Sequence, residues 1–82
     1  MSKIKNWTPS DYFDDRSDVA YYWDHDKNPR KHVTVRKHNI PRENKYGLYF
    51  IDHGDWNQLD RGDSKEELRE KAVKWMRRNP SP

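Results

Sequence analysis

The run Gly62-Asp-Ser-Lys-Glu-Glu-Leu-Arg-Glu-Lys-Ala-Val-Lys-Trp-Met-Arg-Arg-Asn-Pro80 decides the fold class, because it holds the start, the buried stripe and the end of one amphipathic helix. Ser64 and Glu67 have the spacing of a capping box, in which each side chain satisfies a backbone N–H that the first helical turn leaves unpaired. Leu68, Ala72, Trp75 and Met76 recur at i, i+4, i+7 and i+8, while Lys65, Glu66, Arg69, Lys71, Lys74 and Arg78 take the rest of the surface. Asn79-Pro80 closes the element, since proline disfavours a helical residue before it and has no N–H to continue the ladder. The spacing predicts a helix over 64–79 with one face that must be buried. Trp75 and Met76, at helical spacing, read as core rather than as a partner groove.

Working outward, the preceding residues alternate with period two. Val19 to His25 puts Val19, Tyr21 and Trp23 on one face and Ala20, Tyr22 and Asp24 on the other. Asn28-Pro29 marks a turn, after which His32 to His38 sets Val33 and Val35 against His32, Thr34, Arg36 and His38. Residues 39–45 carry Pro41 and three charges and read as a loop. Tyr46 to His53 is the strongest strand signal, with Tyr46, Leu48 and Phe50 opposite Tyr49, Ile51 and His53. Gly54-Asp55 turns the chain, and Trp56 to Asp60 reads as a fourth short strand or an extended lead-in to the helix. Towards the N-terminus, residues 1–6 read as a flexible arm and Trp7 as a docked aromatic. Thr8-Pro9-Ser10-Asp11 matches a cap, a first-turn proline and a first-turn acid, predicting a short helical turn through Phe13. Asp14, Asp15 and Asp18 then mark a turn.

The economical arrangement is a single α+β domain over 1–82, an antiparallel sheet of three or four strands within 19–60 with one C-terminal helix on one face. Its expected core is Leu68, Ala72, Trp75 and Met76 against Tyr21, Trp23, Val33, Val35, Leu48 and Phe50. The opposite face then carries Tyr22, Tyr49 and Ile51 beside His32, Thr34, Arg36 and His53.

Hydrophobic residues are 30% of the chain and charged residues 38%, a balance that favours disorder until the four Trp, five Tyr and two Phe are counted. Large rings replace many aliphatics in so short a chain. The absence of cysteine excludes a disulfide framework or a thiolate metal site. No apolar run is long enough for a membrane span, and the N-terminus shows no signal-peptide pattern, so the expected setting is soluble and cytoplasmic. Charge is segregated: residues 11–26 carry −5 from six Asp and one Arg, and residues 27–45 carry +6 from seven Lys or Arg and one Glu. That basic block can meet phosphate, or it can be a solvated surface that keeps a small protein dispersed.

The segment Tyr46-Gly-Leu-Tyr-Phe-Ile-Asp52, followed by Gly62-Asp-Ser-Lys-Glu-Glu-Leu68 at a helix start, resembles the HicB-type antitoxin pattern over residues 46–76. The resemblance implies a small sheet-plus-helix domain like those that bind double-stranded RNA, and a role in blocking an RNA-cleaving toxin. The order of elements is also similar to the three-stranded-sheet-plus-helix DNA-binding modules of plant AP2 proteins and integrase arm-binding domains. Those insert the open sheet face into the major groove, and the matching positions here are Tyr22, Thr34, Arg36 and Tyr49.

Nucleic-acid binding needs cations for phosphate and either stacking surfaces or base-edge donors. The expected site is Lys31, Arg36, Lys37, Arg42 and Lys45 on phosphate, with Tyr22, Thr34 and Tyr49 on the reading face. The competing structural reading packs the tyrosines under the Trp7 arm and pairs Arg36 with an Asp. A different class of function, a protein-interaction module that caps a partner's edge strand or active site, as an antitoxin or a viral accessory protein does, also fits the sequence. Asp24-His25-Asp26 and Asp52-His53-Gly54-Asp55 are the sole candidates for metal or hydrolytic chemistry, and both consist of ordinary turn residues. Ser10, Ser17, Ser64 and Ser81 are accounted for by caps, turns and a tail. Arg61-Gly62-Asp63 is explained by a turn glycine and an acid before a helix N-terminus. No catalytic residue, metal or cofactor is assigned, and the expected activity is non-enzymatic.

Overall fold

Period-two alternation and two short turns generate most of the architecture. The computed structural model describes residues 4–10, 19–38 and 45–82. In them the chain forms strands β1 (Trp7–Pro9), β2 (Val19–His25), β3 (Lys31–Lys37), β4 (Tyr46–Asp52) and β5 (Asp55–Gly62), followed by helix α1 (Lys65–Arg78). The strands lie side by side in chain order, every neighbouring pair antiparallel. The architecture is thus α+β with the helix packed on the sheet, and the sheet has five strands rather than three or four.

The two additional strands have different causes. Between β4 and β5, His53 (φ 52°) and Gly54 (φ 88°) both take positive φ, the backbone of a two-residue hairpin turn whose twist matches that of the strands it joins. With only two residues in the turn, Asp52 must face Asp55 and Ile51 must face Trp56, so the residues after the turn have no alternative to pairing. At the other edge, Trp7–Pro9 pairs with Trp23–His25, and the Ser10 N–H extends the ladder to the Tyr22 carbonyl at 2.8 Å. The helical turn expected from Thr8 is therefore replaced at its start by a strand. Pro9 fits there because an edge strand tolerates a residue without an N–H. The rest of that expected turn, from Asp11 through Phe13, and the Asp14, Asp15 and Asp18 turn lie outside the described residues.

Side-chain parity places Tyr21 and Trp23 of β2, Val33 and Val35 of β3, and Leu48 and Phe50 of β4 on one face. Helix α1 buries Leu68, Ala72 and Met76 completely against that face, worth roughly 3–6 kcal/mol for the two large side chains. Its start is capped by the Ser64 hydroxyl, which accepts the Glu67 N–H at 3.3 Å. Asn79 closes the other end, its backbone N–H reaching the Trp75 and Met76 carbonyls and its side-chain amide the Trp75 carbonyl at 2.8 Å. Lys71 anchors the helix to the sheet edge by an ion pair with Asp60 of β5 at 2.9 Å. Trp75 is half-buried rather than fully enclosed, its ring 4.9 Å from that of Phe50.

Trp7 joins the same core. It is 0% exposed, its indole lies edge-on to His25 at 4.8 Å and 6.1 Å from Trp75, and its N–H donates to the Asn79 carbonyl at 3.1 Å. Beside it, Asn6 and His25 both donate to the Pro80 carbonyl, at 3.0 and 2.7 Å. This corrects the arrangement in which Trp7 covers the tyrosines. Trp7 seals the helix side of the sheet and holds the C-terminal segment there.

Two irregularities reset parity. Between Val19 and Tyr21 the register slips at Ala20, which packs towards the core, and Val19 pairs with Arg36 on the opposite face instead of sharing a face with Tyr21. Between Leu48 and Tyr49 the partner strand carries the extra residue Leu59, so Asp60 falls opposite Leu48 and Arg61 opposite Gly47.

Candidate nucleic-acid interface

The face turned away from α1 is built from three cross-strand rows of β3, β4 and β5. The first is Arg36, Gly47 and Arg61; the second Thr34, Tyr49 and Gln58; the third His32, Ile51 and Trp56. Strand β2 adds Tyr22 beside Thr34 and Asp24 beside His32. Among the described residues, no helix or strand packs on this face.

Tyr49 lies down along its strand, and Gly47 is the reason. A Cβ at position 47 would stand 2.7 Å from Tyr49 Cε2, 2.8 Å from its hydroxyl and 2.7 Å from His38 Nε2. Only the missing side chain leaves room for the ring to fold over the backbone and for its hydroxyl to meet His38 Nε2 at 2.8 Å. Trp56 stands beside it, 5.6 Å between ring centroids at a 68° interplanar angle. The Arg36 guanidinium lies 5.2 Å from the Trp56 ring centre, within cation–π range. Trp56 is 49% exposed, the one large hydrophobic side chain of the described residues that is open to solvent.

At the other end, His32 Nδ1 donates a 2.7 Å hydrogen bond to the Asp24 carboxylate, and its ring lies 5.3 Å from that of Tyr22. Burial raises the Tyr22 hydroxyl above its ordinary pKa of 10.0, the Asp24 carboxylate adds to the rise, and Arg36 opposes it. On the helix side, the hydrogen bond from Lys71 and then the Arg61 backbone N–H hold Asp60 below the usual carboxylate range.

The eight residues expected to form the site divide into five groups. Tyr22, Arg36 and Tyr49 come together on the helix-free face. Thr34 shares that face but is 0% exposed, its hydroxyl donating to the Tyr21 carbonyl at 2.8 Å, so it presents no group to a ligand. Lys31 and Lys37 point to the helix side, opposite Asp52 and Tyr46 in register, and the Lys31 ammonium is engaged by the backbone oxygen of Pro82. Lys45 is exposed just before β4, where its N–H is held by Asp63, and Arg42 lies outside the described residues.

Trp56 and Arg61 belong to the face although neither was expected there. The signal for Trp56 was in the sequence: a two-residue turn at His53-Gly54 forces Trp56 opposite Ile51, which alternation had already assigned to this face. Arg61 had no such signal, because its orientation depends on the extra residue at Leu59.

The histidines of the two Asp-His clusters are engaged locally, one with backbone groups and one with a neighbouring carboxylate. His25 Nδ1 accepts the N–H groups of Lys27 and Asn28, each at 3.2 Å, which leaves Nε2 protonated and donating to the Pro80 carbonyl. Both ring nitrogens are thereby used. His53 bonds Asp52, its sequence neighbour, on the exposed hairpin. Among the described residues no three His, Cys, Asp or Glu side chains converge as a metal site. Nor is any helix of the described residues long and apolar enough to cross a membrane.

No protein-family model matches the chain, and no curated protein or solved structure matches it either.

Proposed function

We propose that this chain is a small non-enzymatic nucleic-acid-binding module whose interface is the sheet face opposite α1. The observation that carries the reading is the cluster of Arg36, Tyr49 and Trp56, an exposed indole with a guanidinium and a phenol against it on a face that no described element covers. An exposed indole with a phenol and a guanidinium beside it offers the stacking surface and the charge that a nucleic-acid strand uses. Arg61 on the same face and Lys45 at the start of β4 supply charge for phosphate, and both are exposed.

This reading shifts the interface from the basic residues 27–45 to the helix-free face, since Lys31 and Lys37 lie on the other side. Its test is filter binding of mixed-sequence DNA and RNA, each single-stranded and duplex, between about 20 and 200 mM salt. The expected result is affinity that falls with salt, and a fall of about tenfold or more at fixed salt in the double variant Lys45→Glu, Arg61→Glu. Reversal of Lys74 and Arg78 on the exposed side of α1 is the control and should change affinity little. No binding of any form at 20 mM salt would remove the proposal; loss of binding in the helix variant alone would move the interface.

One observation favours a second reading. Strand β5 is an eight-residue edge with no partner on its outer side among the described residues, the geometry by which a protein partner adds a strand. Under that reading a partner co-purifies, and a proline at Asn57 or Gln58 abolishes its capture.

A further inference from the structure

We infer that the nucleic acid this face takes is single-stranded, with unpaired bases stacked on Tyr49 and Trp56; the inference rests on the nucleic-acid reading above and narrows it to one substrate class. Three independent features support it.

The first is ring attitude. An aromatic side chain that stands perpendicular to a sheet offers an edge, and an edge cannot stack a base. Tyr49 is folded down over Gly47, close enough that a β-carbon there would collide with its ring and hydroxyl, and the bond to His38 pins it in that attitude. A ring lying along the backbone turns one π-face outward. Bases splayed from a single strand dock on such platforms, and every base has a face to offer, so the contact tolerates sequence.

The second is the arrangement of charge around the rings. Arg36 and Arg61 occupy the same cross-strand row, on either side of Gly47, and the Tyr49 and Trp56 rows follow on one side of it only. The Tyr49 ring lies over Gly47 between these two cations, and the Arg36 guanidinium is 5.2 Å from the Trp56 ring centre, so charge for a phosphate backbone stands directly beside the stacking surfaces. Asp24, bonded to His32, lies at the far corner of the face, where a second phosphate strand of a duplex would be repelled.

The third is relief. A duplex is read by an element that enters a groove, and base edges are reached by side chains that project from it. The central polar group of this face, the Thr34 hydroxyl, is fully buried and bonded to a backbone carbonyl, and Ile51 beside it is buried as well. On the β3 and β4 strands the middle of the face thus offers a ring and no free hydroxyl, and the one exposed amide of that row, Gln58, stands at the β5 edge.

The experiment is fluorescence anisotropy with a labelled 12-nucleotide single strand, as oligo-dT and as oligo-U, and a hairpin duplex of equal length, at about 50 mM salt. The single strands are expected to bind at least tenfold more tightly than the hairpin, and their binding to quench tryptophan emission. Trp56→Ala should weaken single-strand binding by about 5- to 150-fold, the cost of one stacked base, and Gly47→Val, which forces Tyr49 upright, should weaken it as well. A Trp56→Ala melt by circular dichroism with a midpoint within about 5 °C of the parent's shows that the exposed site was removed without the fold. Duplex binding equal to or tighter than single-strand binding overturns the inference and leaves the broader reading standing, as does single-strand binding that Trp56→Ala leaves unchanged. Absence of binding to all three probes removes both.

Discussion

Replacing Trp7 with alanine should be the most damaging single change among the four tryptophans. The indole is fully buried between His25, Trp75 and the segment after α1, and a side chain of this size removes about 200 Å² from water, roughly 5 kcal/mol at about 25 cal/mol per Å². Truncations of this kind cost about 3–5 kcal/mol once partial collapse of the cavity is allowed. Loss of the N–H bond to the Asn79 carbonyl adds about 1 kcal/mol. A domain of this length shifts its midpoint by about 4–8 °C per kcal/mol, so a fall of roughly 15–50 °C is expected. That is a large share of a total stability of about 5–15 kcal/mol. Trp7→Phe keeps most of the area and loses the N–H, and should fall by roughly 5–15 °C. Trp56→Ala, on the exposed face, should shift the midpoint by less than about 5 °C. Thermal melts followed by far-UV circular dichroism on the three variants make the comparison. A Trp7→Ala protein that melts within about 5 °C of the parent, or no lower than Trp56→Ala, would refute the placement of Trp7 in the helix-side core, and with it the reason the opposite face is left to a ligand.

Other expectations follow from single contacts. Tyr22 has a folded-state pKa above its unfolded one, so its contribution to stability is fully present below about pH 10 and is lost as pH rises above that value through the raised folded-state one; Tyr22→Phe should flatten the fall in melting temperature above about pH 10, and an unchanged slope would count against the desolvated hydroxyl. Thr34→Val keeps the volume and removes the bond to the Tyr21 carbonyl, and should cost about 1 kcal/mol by urea denaturation; a variant as stable as the parent would mean the bond contributes nothing. Gly47→Ala should leave stability within about 1 kcal/mol, because the strand gains from losing a glycine what it loses in contact, yet it should displace Tyr49; ring proton shifts of Tyr49 and His38 by NMR that match the parent would contradict the folded-down ring.

The helix and one sheet face were legible in the sequence because each rests on local rules. Ser64, the Leu68–Met76 stripe and Asn79-Pro80 each act within one or two helical turns, and alternation in β3 and β4 is unbroken, so Val33, Val35, Leu48 and Phe50 fell on the helix side as expected. What escaped was set by contacts between distant residues. Pro9 looks like the first residue of a helix until β2 offers Trp7–Pro9 an edge to pair with, and the carbonyls that hold Trp7 and Asn6 in place come from the other end of the chain. The two bulges escaped for a related reason: an extra residue at Ala20 or Leu59 costs little locally and is fixed by what its neighbours then reach. At Leu59 the gain is visible, since the slip carries Asp60 round to Lys71 and turns Arg61 to the opposite face. Candidate site residues were mixed accordingly. Tyr22, Arg36 and Tyr49 follow from parity, whereas a cluster of basic residues in sequence says nothing about which of them share a face, and Lys31 and Lys37 do not.

The bond from Trp7 to Asn79 links residues 72 positions apart in a sheet whose strands otherwise pair only with their sequence neighbours. Neighbouring hairpins close short loops at small entropic cost and can form early, while a contact spanning most of the chain waits until the intervening sheet and helix are already in place. Trp7 is therefore a latch rather than a nucleus. Once closed, it resists the first step of coming apart, so weakening it should speed unfolding while leaving the refolding rate in stopped-flow measurements almost unchanged, and the lifetime of the native protein is set at its two ends rather than in the middle of its sheet.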